Sequence, residues 1–280
     1  MPELAYLNGE FLPIDKALVP IEDRGYQFGD AVYEFIASYE GRLFCLEEHL
    51  DRLGRSLKGL SFPPVSRETI RKAVLKLFEK AEIQRAGIYI QISRGASPRN
   101  HAFPDSVTPQ IVMTIREIEE KPPELRKDGA AAITVEDFRW GRCDLKTVQL
   151  LPNVLAKQKA LAAGVFDAIF VSPEGVVREG TSSNICIVAD GVVITHPLTQ
   201  QILPGITRMV VIDLCRELNI PVSERFFKTD SLYGSEEAFL TGTVTEVLPI
   251  VTIDGHRIGD GQVGPVTTRL FEALRQRSIA

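Results

Sequence analysis

The chain has 280 residues, 44% of them hydrophobic and 25% charged, with a formal net charge of −5. That is the make-up of a globular protein large enough to bury a core without disulfide or metal staples, as two ordinary domains or one large one. Acids and bases are mixed along the sequence, which argues against nucleic acid or an anionic membrane as the main partner, while a few local arginines could still hold a small anion.

Short strands and turns come first: Ala5-Tyr6-Leu7, then Asn8-Gly9, then Phe11 to Ile14. Asn-Gly between apolar residues predicts a hairpin, because both central positions need positive φ. A second hairpin is predicted from Ala31 to Tyr39, through Glu40-Gly41, to Arg42–Cys45. From Leu46 the period changes, and Leu46, Leu50, Leu53, Leu57 and Leu60 share one helical face. A second helix is predicted over Glu68–Ala81 with Ser66 as its cap, followed by strands at Ile88–Ile92 and Gln110–Ile115. Glu119-Glu120-Lys121-Pro122-Pro123-Glu124 has no periodicity, which places a domain boundary there and gives domains 1–120 and 121–280.

The second half alternates more evenly. Strands are predicted at Ala131–Val135, Ala168–Val171, Ile185–Val188 and Ala238–Leu240, with a hairpin at Asp190-Gly191. Helices are predicted at Val154–Ala163 (ended by Gly164), Met209–Leu218 and Thr267–Arg277. Strands and helices mixed in both halves predict a two-domain α/β (mixed α+β) enzyme-like chain. Cys45, Cys143, Cys186 and Cys215 are far apart and form no CxxC pair, so reduced thiols are expected rather than a metal site or a disulfide framework. Met1-Pro2-Glu3-Leu4 carries neither a basic n-region nor an apolar h-region, and no apolar run approaches membrane-spanning length; a soluble cytoplasmic protein is expected.

Three windows put polar residues where a plain scaffold has little use for them. In Trp140-Gly141-Arg142-Cys143-Asp144-Leu145-Lys146-Thr147 a lysine precedes the apolar Leu150-Leu151, and a lysine in a partly dry pocket can form an imine with an aldehyde cofactor. Val177-Arg178-Glu179-Gly180-Thr181-Ser182-Ser183-Asn184 offers hydroxyls for an anion and a carboxylate for a ring nitrogen. Leu203-Pro204-Gly205-Ile206-Thr207-Arg208 opens a helix, and its free N–H groups and positive dipole end suit a phosphate. Read singly, each has a plainer reading: a surface lysine, a polar turn, an ordinary cap.

Taken together, in order and spacing, these windows resemble the class IV, fold-type IV pyridoxal-phosphate aminotransferases. The resemblance runs from Tyr6-Leu7-Asn8-Gly9 to Thr267-Arg269 and implies a two-domain fold with the cofactor, pyridoxal 5′-phosphate, between the domains. It implies that Lys146 is the Schiff-base lysine and that Glu179 pairs with the pyridine nitrogen, keeping the ring a good electron sink. Arg52, the backbone N–H groups of Ile206 and Thr207, and Thr243 would hold the phosphate, with Ser182 and Ser183 in the anion-binding window. Leu203 would pack on the ring face, and Arg139 would sit near its phenolic side.

Within that family, Asp23-Arg24-Gly25-Tyr26-Gln27-Phe28-Gly29-Asp30 with Tyr33 and Glu34, and Ser93-Arg94-Gly95-Ala96-Ser97-Pro98-Arg99-Asn100-His101, are similar to D-amino-acid aminotransferases. This implies that Arg99 and His101, completed by Tyr33, trap the substrate α-carboxylate from the partner subunit of a homodimer with shared active sites. Amino acids and 2-oxo acids would be the small-molecule partners. Gly242 departs from the subgroup, where serine can stand, and removes one phosphate hydroxyl. His49, His196 and His256 show no partner pattern and are expected to serve structure. The alternatives are a branched-chain L-amino-acid or (R)-amine transaminase, aminodeoxychorismate lyase, or a non-catalytic small-molecule binder.

Overall fold

Asn8 and Gly9 take φ values of 50° and 111°, and the turn they make joins β1 (Leu4–Leu7) to β2 (Glu10–Pro13) as the Asn-Gly pair predicts. The computed structural model describes residues 4–279; Met1, Pro2 and Glu3, read above for a leader segment, lie outside them. The chain divides into two units, one running to Glu119 and including Leu145–Gln149, the other comprising Glu120–Asp144 and Leu150 onward.

In the first unit, the turn at Glu40 and Gly41 (φ 47° and 77°) joins β3 (Ala31–Tyr39) to β4 (Arg42–Leu43). With β5 (Ala86–Ser93) and β6 (Gln110–Glu117) they form a six-stranded sheet, order β2-β1-β6-β5-β3-β4, in which every pair is antiparallel. β5 starts two residues before the apolar run predicts. Gly87 extends it because the ring of Phe35 occupies the place of a Cβ, 2.4 Å away. The leucine face of α2 (Leu46–Gly59) and the apolar face of α3 (Arg67–Ala81) pack on Ile36, Ile88, Ile90 and Ile115. Ser66 Oγ accepts the N–H of Thr69, capping α3 as predicted. A short helix, α1 (Arg24–Phe28), is too brief to show a period; Asp23 caps it and Gly29, at φ 68°, ends it.

The second unit opens with the single turn α4 (Pro123–Lys127) and holds a nine-stranded mixed sheet. Its strands are β7 (Ala130–Glu136), β8 (Asp167–Val171), β9 (Val177–Gly180), β10 (Asn184–Ala189), β11 (Val192–Thr195), β12 (Val222–Glu224), β13 (Glu237–Gly242), β14 (Glu246–Ile253) and β15 (His256–Arg257). α5 (Leu151–Ala162), α6 (Ile206–Glu217), α7 (Thr229–Tyr233) and α8 (Pro265–Ile279) complete it. β14 is absent from the sequence expectation, since Pro249 interrupts its apolar run. β7 pairs with it only from Ile250 onward, so a missing N–H is tolerated there. Among the described residues no helix is long and apolar enough to cross a membrane.

One expectation needs correcting. The sequence boundary assigns Lys146 to the C-terminal domain, whereas Leu145–Gln149 belongs to the first unit. Hydrogen bonds decide this, not sequence position: Tyr33 N–H donates to the Lys146 carbonyl at 2.9 Å, and Val148 N–H to the Ala31 carbonyl at 3.1 Å. Leu145 fills the space above Gly59, where a Cβ would lie 2.5 Å from its Cδ2.

Candidate active site

In the first unit, α2 carries a second buried face besides its leucines: His49, Arg52 and Ser56, at i, i+3 and i+7. Opposite them, Glu34 of β3 is 0% exposed, on the same inward side as Val32 and Ile36. Its carboxylate accepts Arg52 Nε at 2.7 Å and Nη2 at 2.8 Å, and lies 2.7 Å from His49 Nδ1. Burial pushes the Glu34 carboxyl up, but Arg52 and His49 outweigh it and hold its pKa at about 2. Burial pushes His49 below its ordinary value, so Glu34 is the anion and Arg52 the cation of this cluster. Ser56 Oγ accepts the backbone N–H of Lys146 at 3.0 Å, and Lys146 Nζ stands 4.1 Å from the centroid of the Tyr33 ring. Lys146, Tyr33 and Arg52, picked out on sequence, thus belong to one cluster; Glu34 and His49 complete it.

The expected trap residues lie in the same unit. The Arg99 guanidinium sits 4.4 Å from the Phe28 ring centroid, and the His101 ring centroid is 5.4 Å from that of Phe28. Both side chains are exposed and flank one aromatic ring.

In the second unit, Glu179 lies near the end of β9 with its carboxylate buried. Oε1 accepts Arg139 Nη1 at 2.5 Å; Oε2 accepts Asn184 Nδ2 at 2.9 Å and Leu203 N–H at 3.0 Å. Burial raises its pKa, with Arg139 and the Leu203 N–H pulling the other way. Arg139 also forks onto Asp137, with both bonds at 2.9 Å, and Asp137 takes Arg178 Nη1 at 2.8 Å. Arg139 is therefore first of all a partner of two carboxylates, and a single N–H of its guanidinium remains beyond these bonds and the one to the Gln201 carbonyl.

Ser183 donates its hydroxyl to Asp167 at 3.2 Å, as Thr181 does at 2.5 Å, so neither proton is spare for an anion. Ser182, by contrast, is exposed, and Thr243 half-buried; the pairing of Asn184 with Thr241 puts them at neighbouring strand ends. Ile206 and Thr207 open α6 behind Gly205, and no side chain caps that end. A Cβ on Gly205 would lie 2.0 Å from Asn184 Oδ1, so the glycine makes room for the amide that holds both Glu179 and the Leu203 carbonyl. Neither Asn184's hold on Glu179 nor Asp137's on Arg139 is legible in the sequence: Asp137 lies just past the end of β7, and β10 is buried along both faces, so strand alternation marks neither residue.

The family model for Amino-transferase class IV matches residues 31–253. Over 273 residues the chain is 43% identical to the D-alanine aminotransferase of Bacillus licheniformis, covering 97% of this chain and 95% of that protein. Against the D-alanine aminotransferase of Staphylococcus haemolyticus it is 41% identical, covering 97% and 96%. Among solved structures, the branched-chain amino acid aminotransferase of Escherichia coli superposes with a TM-score of 0.91 at 28% identity, over 98% of this chain and 93% of that one. The branched-chain aminotransferase of Thermoproteus uzoniensis, solved with norvaline, gives 0.88 at 29%, over the same shares. A further branched-chain amino acid aminotransferase of this fold, with a TM-score of 0.91, was solved with pyridoxamine 5′-phosphate. The chain belongs to the class IV aminotransferases.

The family's cofactor is pyridoxal phosphate, and the residues present fit it. The first unit offers an amine fixed through its own backbone; the second offers a buried carboxylate and an uncapped twelve-residue helix start.

Proposed function

We propose that this enzyme is a D-amino acid:2-oxo acid aminotransferase, converting D-alanine and 2-oxoglutarate to pyruvate and D-glutamate. The observation that carries the reading is the exposed Arg99–His101 pair flanking Phe28, an arrangement able to hold a substrate carboxylate. Identity of 43% to a D-alanine enzyme, against 28% to a branched-chain one, supports it.

When bound, pyridoxal phosphate supplies an electron sink for the pair released at the substrate Cα. Lys146 would tether it, and its Nζ, when not engaged as the tether, would accept the Cα proton as general base. Glu179, oriented by Arg139 and Asn184, holds the ring nitrogen in its protonated form. Arg52, the N–H groups of Ile206 and Thr207, Thr243 and Ser182 would hold the phosphate side, and Leu203 would pack on the ring. Tyr33 completes the carboxylate site with Arg99 and His101. The enzyme works as a cytoplasmic homodimer in which the Arg99 loop serves the partner's site. The strongly exposed Leu18, Ile21 and Tyr26 support an assembly.

A panel of D- and L-amino acids and a carboxylate-free (R)-amine, each with 2-oxoglutarate, tests the reading. Preference for D-alanine is expected; preference for L-leucine would make the branched-chain reading correct. Pyruvate formed without an oxo-acid acceptor would point to the lyase, and a protein without a borohydride-sensitive visible band would be a binder.

A further inference from the structure

Two buried arginines outside the catalytic clusters, Arg24 and Arg94, meet at one carboxylate. Asp30 Oδ2 accepts both Arg24 Nε at 2.9 Å and Arg94 Nε at 2.8 Å, and both arginine side chains are almost wholly buried. What distinguishes Arg24 is where its remaining donors go. Nη1 donates to the carbonyls of Asn100 at 2.6 Å and Ala102 at 3.3 Å, and Nη2 to that of His101 at 3.4 Å. One guanidinium therefore holds three consecutive carbonyls of the loop that carries Arg99 and His101. Its central carbon lies 4.8 Å from the centroid of Phe28, the ring that Arg99 and His101 flank. The backbone repeats the tie: Arg24 N–H donates to the Gly95 carbonyl, Ser97 N–H to that of Glu22, and Arg94 N–H to that of Asp30. Arg94 binds the Leu60 and Ser61 carbonyls and stacks 3.7 Å from the Phe103 centroid, which pins the far side of the same loop.

We infer that Arg24, aimed by Asp30, is the positioning residue for the α-carboxylate site: it fixes the loop so that Arg99 and His101 present their donors at a set spacing. The inference rests on the Arg99–His101 reading above. Only a planar fork with several donors reaches three carbonyls at once, so lysine, which keeps the charge beside Asp30, cannot replace it. Arg24 itself touches neither substrate nor cofactor in this role.

The test is Arg24→Lys holoenzyme, with Asp30→Asn as a second variant that loosens the same guanidinium from its other side. KM for D-alanine and for 2-oxoglutarate should each rise about tenfold, more than kcat falls, because the carboxylate donors lose their alignment. The half-reaction with a carboxylate-free primary amine, followed by the visible band, and the cofactor dissociation constant should stay within about twofold. Unchanged KM values in both variants overturn the inference. So does an equal loss for the carboxylate-free amine and the cofactor, which would mark Arg24 as scaffold alone. Arg99→Ala measured alongside separates the two ideas. If it leaves both KM values unchanged, the carboxylate reading itself fails; if it raises them while the Arg24 and Asp30 variants do not, only the positioning inference fails.

Discussion

Tyr33 holds Lys146 at both ends: its backbone N–H donates to the lysine carbonyl at 2.9 Å, and its ring lies 4.1 Å from the lysine Nζ. A long flexible side chain is thereby anchored at its root and steered at its tip. Lys146→Ala should abolish the visible cofactor band and lower turnover by on the order of 10³-fold or more, since tether and proton carrier are lost together. Tyr33→Phe keeps the ring beside the lysine nitrogen and should keep the band. Absorbance and a coupled oxo-acid assay check both; a Lys146→Ala variant with wild-type turnover would remove the central assignment.

Glu179 and Arg52 should fail in different ways. Glu179→Gln replaces a carboxylate by an amide without emptying the site, so turnover should fall more than cofactor affinity. Arg52→Ala removes a cation expected on the phosphate and also leaves Glu34 buried without its bidentate partner. It should raise the cofactor dissociation constant and cost about 3–5 kcal/mol of stability. Titration of the two apo-variants with cofactor, together with denaturant melts, distinguishes the roles. Equal affinity loss with unchanged turnover in both would contradict the division.

The Glu34 cluster also sets an acid limit. Its carboxyl, ordinarily at 4.5, is held at about 2 in the folded chain, so it contributes stability fully above 4.5 that is lost as pH falls toward 2. His49, buried and displaced below its usual 6.5, acts in the same direction, because protonating it below that value favours the unfolded chain. The apo-protein's melting temperature should therefore fall as pH drops below 6.5 and fall more steeply below 4.5. Glu34→Gln should flatten the lower window specifically. Melts at a pH series on the two proteins test this, and parallel curves below 4.5 would refute Glu34's part.

How far the sequence foretold this site depends on what kind of contact makes it. The leucine face of α2 and the Asn8-Gly9 turn follow from local rules, a 3.6-residue period and a need for positive φ, and both stand in the structure. Lys146 is visible in the sequence as a residue but not as a member of the first unit, because hydrogen bonds from its own segment to β3 and to Ser56 of α2 place it there, against its sequence neighbours. Glu34 is legible in principle: a carboxylate two residues from Val32 and two from Ile36 must face inward and needs a partner. That the partner is Arg52 follows only when β3 meets α2. Ser183 shows the converse, a hydroxyl suited to an anion by type but engaged by Asp167, far away in sequence.

Gly205 ties the helix start to the Glu179 carboxylate through Asn184. Its φ of −65° is open to any residue, so the demand for glycine is one of space: alanine would put a methyl 2.0 Å from Asn184 Oδ1. Gly205→Ala should push that amide away from Glu179 and Leu203, costing about 1–3 kcal/mol. Cofactor affinity should weaken with it, since both the carboxylate and the N–H groups of Ile206 and Thr207 shift. Isothermal titration with cofactor measures this; wild-type affinity would show that Asn184 has room to move.

The Arg99 guanidinium rests on Phe28 and makes a weak 3.5 Å bond to the Gln27 carbonyl, so most of its donors face outward. A solvated arginine that serves only the scaffold can be removed at little cost, usually within about 0.5 kcal/mol. One that receives a substrate carboxylate cannot, because losing a charge-assisted contact costs about 1.5–3 kcal/mol, or roughly tenfold to a hundredfold in kcat/KM. With the carboxylate fixed at Arg99 and the substrate nitrogen fixed at the cofactor, the Cα–H bond can face Lys146 in only one enantiomer. Arg99→Ala should therefore weaken D-alanine and 2-oxoglutarate together, leave the cofactor band and melting temperature unchanged, and erode the preference for D over L. A primary amine without a carboxylate should lose much less. Steady-state kinetics on the three substrates decide the matter: unchanged D-alanine kinetics in the variant would return Arg99 to the solvated surface.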